Sequence, residues 1–138
     1  MSKETAVILL AGGSGTRLGG DQPKQFVRIA GKTILEHSFD VLRQHLPEAQ
    51  IVVTVPFDEV SKVEWMFRHD ALVQVIPGGV NRQSSTLRGL KALAAHAPRN
   101  VLIHDAARPF VDGRIILEVV DALVEHEAVD VAIPTADT

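Results

Sequence analysis

The chain has 138 residues, enough for one domain around a single buried core. Its 46% hydrophobic and 22% charged residues, free of repeats and low-complexity tracts, argue against disorder, and a net charge of −3 argues against a broad basic face for nucleic acid. No apolar run approaches the ~20 residues of a bilayer-spanning helix, and neither cysteine nor a charged-plus-apolar leader is present, so a cytoplasmic protein without a membrane partner is expected.

In chain order, the apolar run Thr5–Leu10 reads as a strand buried on both faces. It leads into the glycine-rich stretch Ala11–Gly20, which contains Arg17 and is followed by Pro23-Lys24-Gln25-Phe26. Thr33-x-x-Glu36 is a capping box that opens a helix over Ile34–His45. Ile51–Val55 is the second strand and Glu59–Arg68 the second helix. Trp65, Met66 and Phe67 are adjacent and cannot share one helical face, so they divide between core and surface and form no ligand platform. Leu72–Ile76 is the third strand, followed by PGGVNRQSS and a helix over Ser84–His96. Val101–His104 is the fourth, followed by DAARP, with Asp112 as N-cap of a helix over Gly113–His126. Val129–Ile133 reads as a fifth strand, leading to PTADT.

Apolar strands alternating with amphipathic helices predict an α/β fold, a Rossmann-like three-layer α/β/α sandwich with a mainly parallel sheet. Right-handed crossovers place helices on both faces, and ligands collect beyond the carboxyl ends of the strands. The loops richest in glycine and charge all follow strands, so they converge on that edge.

The glycine-rich loop suits an anion: its backbone N–H groups can form a concavity, glycine permits close approach of phosphate oxygens, and Arg17 and Lys24 supply charge. The alternative is a tight strand-to-helix connection with surface cations. Gly13-x-Gly15 is only a fragment of the dinucleotide fingerprint, because Leu18 replaces the third glycine and no acidic residue closes the next strand. Gly15 and Gly20 have P-loop spacing, but Asp21 stands where lysine is needed. The six histidines show no zinc-site spacing, and Thr16 breaks the G-x-S-x-G pattern around Ser14.

LAGGSGTRLGGDQPKQF resembles the signature of nucleotidyltransferases that join a nucleoside triphosphate to a sugar or polyol phosphate, and PKQF narrows this toward the cytidylyltransferases. GGVNRQSSTLRGL and HDAARP resemble two further segments of that family, in the same order and covering essentially the whole chain. The resemblance implies the nucleotide-diphospho-sugar transferase type of fold and transfer of CMP from CTP to a polyol phosphate, with Mg²⁺. Two acceptors fit: 2-C-methyl-D-erythritol 4-phosphate and ribitol 5-phosphate. AGGSGTR and AVDVAIPTADT look more like the ribitol branch, HDAARP like the other.

By the same resemblance Arg17 and Lys24 are the catalytic cations, assisted by the backbone of Gly13, Ser14, Gly15 and Thr16. Ala11, Gly12, Gly79, Val80 and Ser85 correspond to positions around cytosine and ribose. Val80 departs from the polar residue common there, which leaves only its backbone to serve. Asp105, Arg108 and Thr138 correspond to positions facing the acceptor phosphate and the metal-bound triphosphate, with Asp105 as the metal carboxylate. Structural alternatives stand beside these: Asp105 capping a turn or pairing with Arg108, Arg82 packing or pairing, and Ser84 and Ser85 serving only as helix N-terminal residues. The family continues beyond the motif that Thr138 completes, with a second catalytic lysine and an arm that joins two subunits. Residues 1–138 are therefore expected to be the N-terminal, nucleotide-binding part of a longer, dimeric cytidylyltransferase, or else a shortened relative that has lost part of the acceptor site and the dimer contact. The alternatives are a nucleotide-binding module without turnover and a nucleotidyltransferase using another nucleotide and sugar phosphate.

Overall fold

A computed structural model describes residues 4–12 and 23–134. The elements in order are β1 (Thr5–Leu10), β2 (Arg28–Ile29), β3 (Lys32–Thr33), α1 (Ile34–His45), β4 (Ile51–Val55), α2 (Val60–Met66), β5 (Val73–Pro77), α3 (Arg82–Leu93), β6 (Asn100–Asp105) and α4 (Gly113–Ala122). Single 3₁₀ turns lie at Lys24–Phe26, Phe57–Glu59 and Ala94–His96. No helix among the described residues is long and apolar enough to cross a membrane.

The main sheet has the order β5-β4-β1-β6, and all its pairs are parallel. β1 and β4 are buried along their whole length, as their continuous apolar composition requires of strands covered on both faces. The period-2 geometry of β1 divides it between two layers. Val7 and Leu9 join Leu35, Phe39 and Leu42 of α1 and Ile116 and Val120 of α4, whereas Ala6, Ile8 and Leu10 pack with Val52 and Leu93 on the α3 side. The result is the expected α/β/α sandwich, with α1, α2 and α4 on one face and α3 on the other.

Local signals fix the starts of three of the four α-helices among the described residues. The Thr33–Glu36 capping box forms as expected, with Glu36 N–H donating to Thr33 Oγ1 at 3.1 Å and Thr33 N–H to Glu36 Oε1 at 3.0 Å. Asp112 caps α4 by accepting from Arg114 N–H. α3 begins two residues before the expected Ser84, because Asn81 and Ser84 make their own reciprocal capping box. Its last expected turn tightens into the 3₁₀ turn Ala94–His96. Of the three bulky residues in the second helical segment, Phe67 is buried against Phe39 with ring centroids 4.4 Å apart, Met66 is half-buried, and Trp65 is exposed beneath the Arg68 guanidinium.

Besides these shifts of helix bounds, with α2 and α4 also shorter than the expected Glu59–Arg68 and Gly113–His126, two whole elements differ from the sequence reading. The hairpin β2–β3 was not anticipated: it turns through Ala30 (φ 53°) and Gly31 (φ 83°), and alanine is a poor signal for a turn that needs two left-handed residues. The expected fifth strand, Val129–Ile133, is not formed. A strand exists only with a ladder partner, and among the described residues this segment pairs with none: it lines the same cleft as β6 without joining its ladder, and Val131 and Ile133 remain 58% and 86% exposed.

Candidate functional site

Strand order reverses at β1: the chain steps outward through β4 and β5, then returns through α3 to place β6 on the other side of β1. Such a reversal opens a crevice beyond the carboxyl ends of the two strands flanking it. Leu10 and Asp105 are register partners, so the segments that follow, Ala11-Gly12 and Ala106-Ala107-Arg108, leave the sheet side by side.

On the β4–β5 side, three backbone segments meet around one hydroxyl. Ser85, buried in the first turn of α3, accepts from Gly79 N–H through Oγ at 2.9 Å. A Cβ on Gly78 would lie 2.9 Å from the same Oγ, and one on Gly12 would lie 3.6 Å from it and 3.9 Å from Gly78 Cα. The glycines thus let the loops after β1 and β5 close on Ser85. Ser84, by contrast, is a capping residue, so the structure separates two serines that sequence could not. Ala11 is buried, its N–H donating to Thr54 O at 2.8 Å, while Val80 is almost fully exposed. Lys24 is exposed on the 3₁₀ turn below this corner, and its neighbour Gln25 is buried with Nε2 donating to Ala11 O at 2.8 Å.

On the β6 side, Asp105 Oδ1 accepts from Ala107 N–H at 3.0 Å and Asp105 O accepts from Arg108 N–H at 3.0 Å. The carboxylate therefore does hold its turn, whereas the alternative Asp105–Arg108 ion pair is not formed; Arg108 is exposed. His104 lies 2.9 Å through Nε2 from Arg108 O, and since a carbonyl only accepts, Nε2 carries the proton. Burial pushes the His104 pKa below its ordinary value, against the raising effect of that hydrogen bond and of Asp105. Ala106 is pinned twice, its N–H on Leu10 O at 2.9 Å and its carbonyl on Ser38 Oγ at 2.7 Å.

A cleft of about 600 Å³ runs from this turn along β6 and α4, bringing Arg82 to the same space as His104, Asp105 and Arg108. Sequence reasoning gave Arg82 no site role, because its approach depends on how α3 returns to the sheet. Arg17, Gly13, Ser14, Gly15, Thr16 and Thr138 lie outside the described residues. Among the described residues no three His, Cys, Asp or Glu side chains cluster to cage a metal. Asp105 alone still fits Mg²⁺, which typically takes one or two carboxylates and completes its shell with substrate phosphates and water.

The strand-order reversal and the loops gathered at it define a Rossmann-like α/β protein of the nucleotidyltransferase fold. Residues 5–138 match the family described as IspD: 2-C-methyl-D-erythritol 4-phosphate cytidylyltransferase, and the chain belongs to that family. It is 42% identical to the 2-C-methyl-D-erythritol 4-phosphate cytidylyltransferase of Thermobifida fusca (strain YX), over 96% of this chain and 55% of that protein. It is 38% identical to the bifunctional ribulose 5-phosphate reductase/CDP-ribitol pyrophosphorylase of Haemophilus influenzae, over 95% of this chain and 28% of that protein. The crystal structure of 4-diphosphocytidyl-2C-methyl-D-erythritol synthase from Anaerococcus prevotii superposes with a TM-score of 0.73 at 26% identity, covering 91% of this chain and 53% of that one. The chain spans about half the length of the Thermobifida and Anaerococcus proteins it matches.

Proposed function

We propose that this chain is the nucleotide-binding domain of a cytidylyltransferase that transfers CMP from CTP to a polyol phosphate. The observation that carries the reading is the convergence of the Ala11–Gly12, Gly79–Ser85 and Asp105–Arg108 segments on one sheet edge, at the reversal of strand order. A phosphate oxygen of the acceptor attacks the α-phosphorus of CTP in line, the bond from that phosphorus to the bridging oxygen breaks, and pyrophosphate leaves. Such a reaction asks the protein for position and positive charge, and for no nucleophilic side chain.

Arg17 and Lys24 bear on the charge that grows on the α-phosphoryl and pyrophosphate oxygens, assisted by the amides of Gly13 to Thr16. Ala11, Gly12, Gly79 and Val80 offer backbone groups, and Ser85 its hydroxyl, to cytosine and ribose. Arg108 and Thr138 orient the acceptor phosphate, and Arg82 adds a second guanidinium to the same cleft. Asp105 would hold Mg²⁺, which when bound neutralises triphosphate oxygens.

The acceptor we favour is 2-C-methyl-D-erythritol 4-phosphate, supported by the family match and the Thermobifida relative. Ribitol 5-phosphate is the second reading, favoured by the similarity to the Haemophilus enzyme. The test is calorimetric titration of CTP with Mg²⁺, followed by product analysis with each acceptor. Saturable CTP binding and one CDP-polyol support the proposal; tight NADH binding without measurable affinity for CTP refutes it.

A further inference from the structure

β1 and β6 are adjacent, and Ala11 and Ala106 occupy equivalent places one residue past their paired ends. Both carbonyls turn inward onto buried side-chain donors, Gln25 Nε2 at 2.8 Å and Ser38 Oγ at 2.7 Å. Gln25 retains 5% of its exposure and Ser38 none, so these hydrogen bonds help to offset the cost of burying the two donors. Ser38 is unusual for a helix serine, which commonly bonds a carbonyl one turn back in its own helix. Here it reaches across 68 residues of sequence to the loop that carries Asp105 and Arg108.

The direction of these two carbonyls has a consequence for anions. A trans peptide holds its C=O and N–H antiparallel, and no described peptide is cis. Drawing the Ala11 carbonyl inward therefore aims Gly12 N–H the opposite way, toward the strand end. The same constraint at Ala106 aims Ala107 N–H at the Asp105 carboxylate, which accepts it at 3.0 Å. Were either peptide to flip, a carbonyl dipole would face a phosphate. Gln25 also follows Lys24 directly, so its bond fixes the turn bearing that ammonium against the end of β1.

We propose that Gln25 and Ser38 are positioning residues, one setting the peptide and lysine of the nucleotide side, the other the Asp105–Arg108 turn of the acceptor side. Only the ligands in this statement rest on the cytidylyltransferase reading; the two clamps do not. Gln25→Met and Ser38→Ala in the full chain test it by amide exchange and by saturation with each substrate. Losing one buried hydrogen bond should speed exchange about tenfold at the peptide it holds. Gln25→Met should do so at Ala11, whose N–H bonds Thr54 O beside the clamped carbonyl, and spare Ala107 and Arg108, while Ser38→Ala should show the reverse. The concentration of CTP at half-saturation should rise with Gln25→Met, and that of the polyol phosphate with Ser38→Ala. Ser38→Cys, which keeps the volume and a weak donor, should give the Ser38→Ala pattern at smaller size and serves if the alanine variant folds poorly. Uniform acceleration at all amides, or none at the clamped peptide, would overturn the proposal. A wild-type protein that binds neither CTP nor polyol phosphate would overturn the cytidylyltransferase reading alone, and the exchange pattern would still decide the clamps.

Discussion

Gly89→Ala should destabilise the protein even though it replaces glycine by the best helix former. The buried face of α3 is Ser85, Gly89 and Leu93, and Gly89 is where the helix rests on Ile8 of β1. A Cβ there would stand 2.9 Å from Ile8 Cδ1, 2.9 Å from Cγ2 and 3.0 Å from Cγ1. Overpacking costs about 1–3 kcal/mol, and the upper half applies because Ile8 is fully buried and branched at the contact. Helix propensity returns about 1 kcal/mol, leaving a net loss of about 1–2 kcal/mol. For a domain of this size that lowers Tm by roughly 3–8 °C. Thermal unfolding followed by circular dichroism measures it, with Ile8→Ala as the second arm of a double-mutant cycle. In that background the same substitution fills space and should stabilise by about 1 kcal/mol. Because Ser85 lies one turn away on the same face, the single variant should also weaken CTP binding. A Tm raised by Gly89→Ala in the wild-type background would refute the close approach of α3 to β1.

Lys24→Ala should lower kcat/KM for CMP transfer by about 30- to 1000-fold with little change in Tm, as steady-state kinetics and melting would show. Asp105→Asn keeps an oxygen to accept from Ala107 N–H, so stability should stay within about 0.5 kcal/mol while the Mg²⁺ concentration for half-maximal rate rises. A loss of stability with unchanged Mg²⁺ dependence would leave Asp105 only its turn. For His104 the depressed pKa means that the unfolded chain binds its proton first as pH falls. Stability should therefore be lost from about pH 6.5, the ordinary histidine value, down to the folded-state pKa, and be level below it. Melting between pH 7 and pH 5 should show a shallower decline in His104→Gln than in the wild type.

Much of the architecture is legible locally. Continuous apolar runs announced β1 and β4 as strands covered on both faces, Thr33 with Glu36 fixed the start of α1, and Asp112 that of α4, because these signals act within one turn or one ladder spacing. The placement of Ala11, Gly79, Ser85 and Asp105 at one edge followed from strand alternation, since parallel strands all end on the same side. Other features depended on partners far along the chain. Val129–Ile133 has the composition of a strand but forms no ladder among the described residues, and composition alone does not supply a pairing. Ser84 and Ser85 are adjacent and alike, yet one bonds within its own cap and the other reaches the loop after β5. Gly89 reads as a flaw in a helix until Ile8 is set against it. Gln25 and Ser38 are ordinary polar residues in sequence; only the folded chain brings each to a carbonyl past a strand end. Capping and periodicity are encoded in near neighbours, whereas the satisfaction of a buried polar group depends on which remote backbone atom packing delivers to it, and that was decided by the tertiary structure alone.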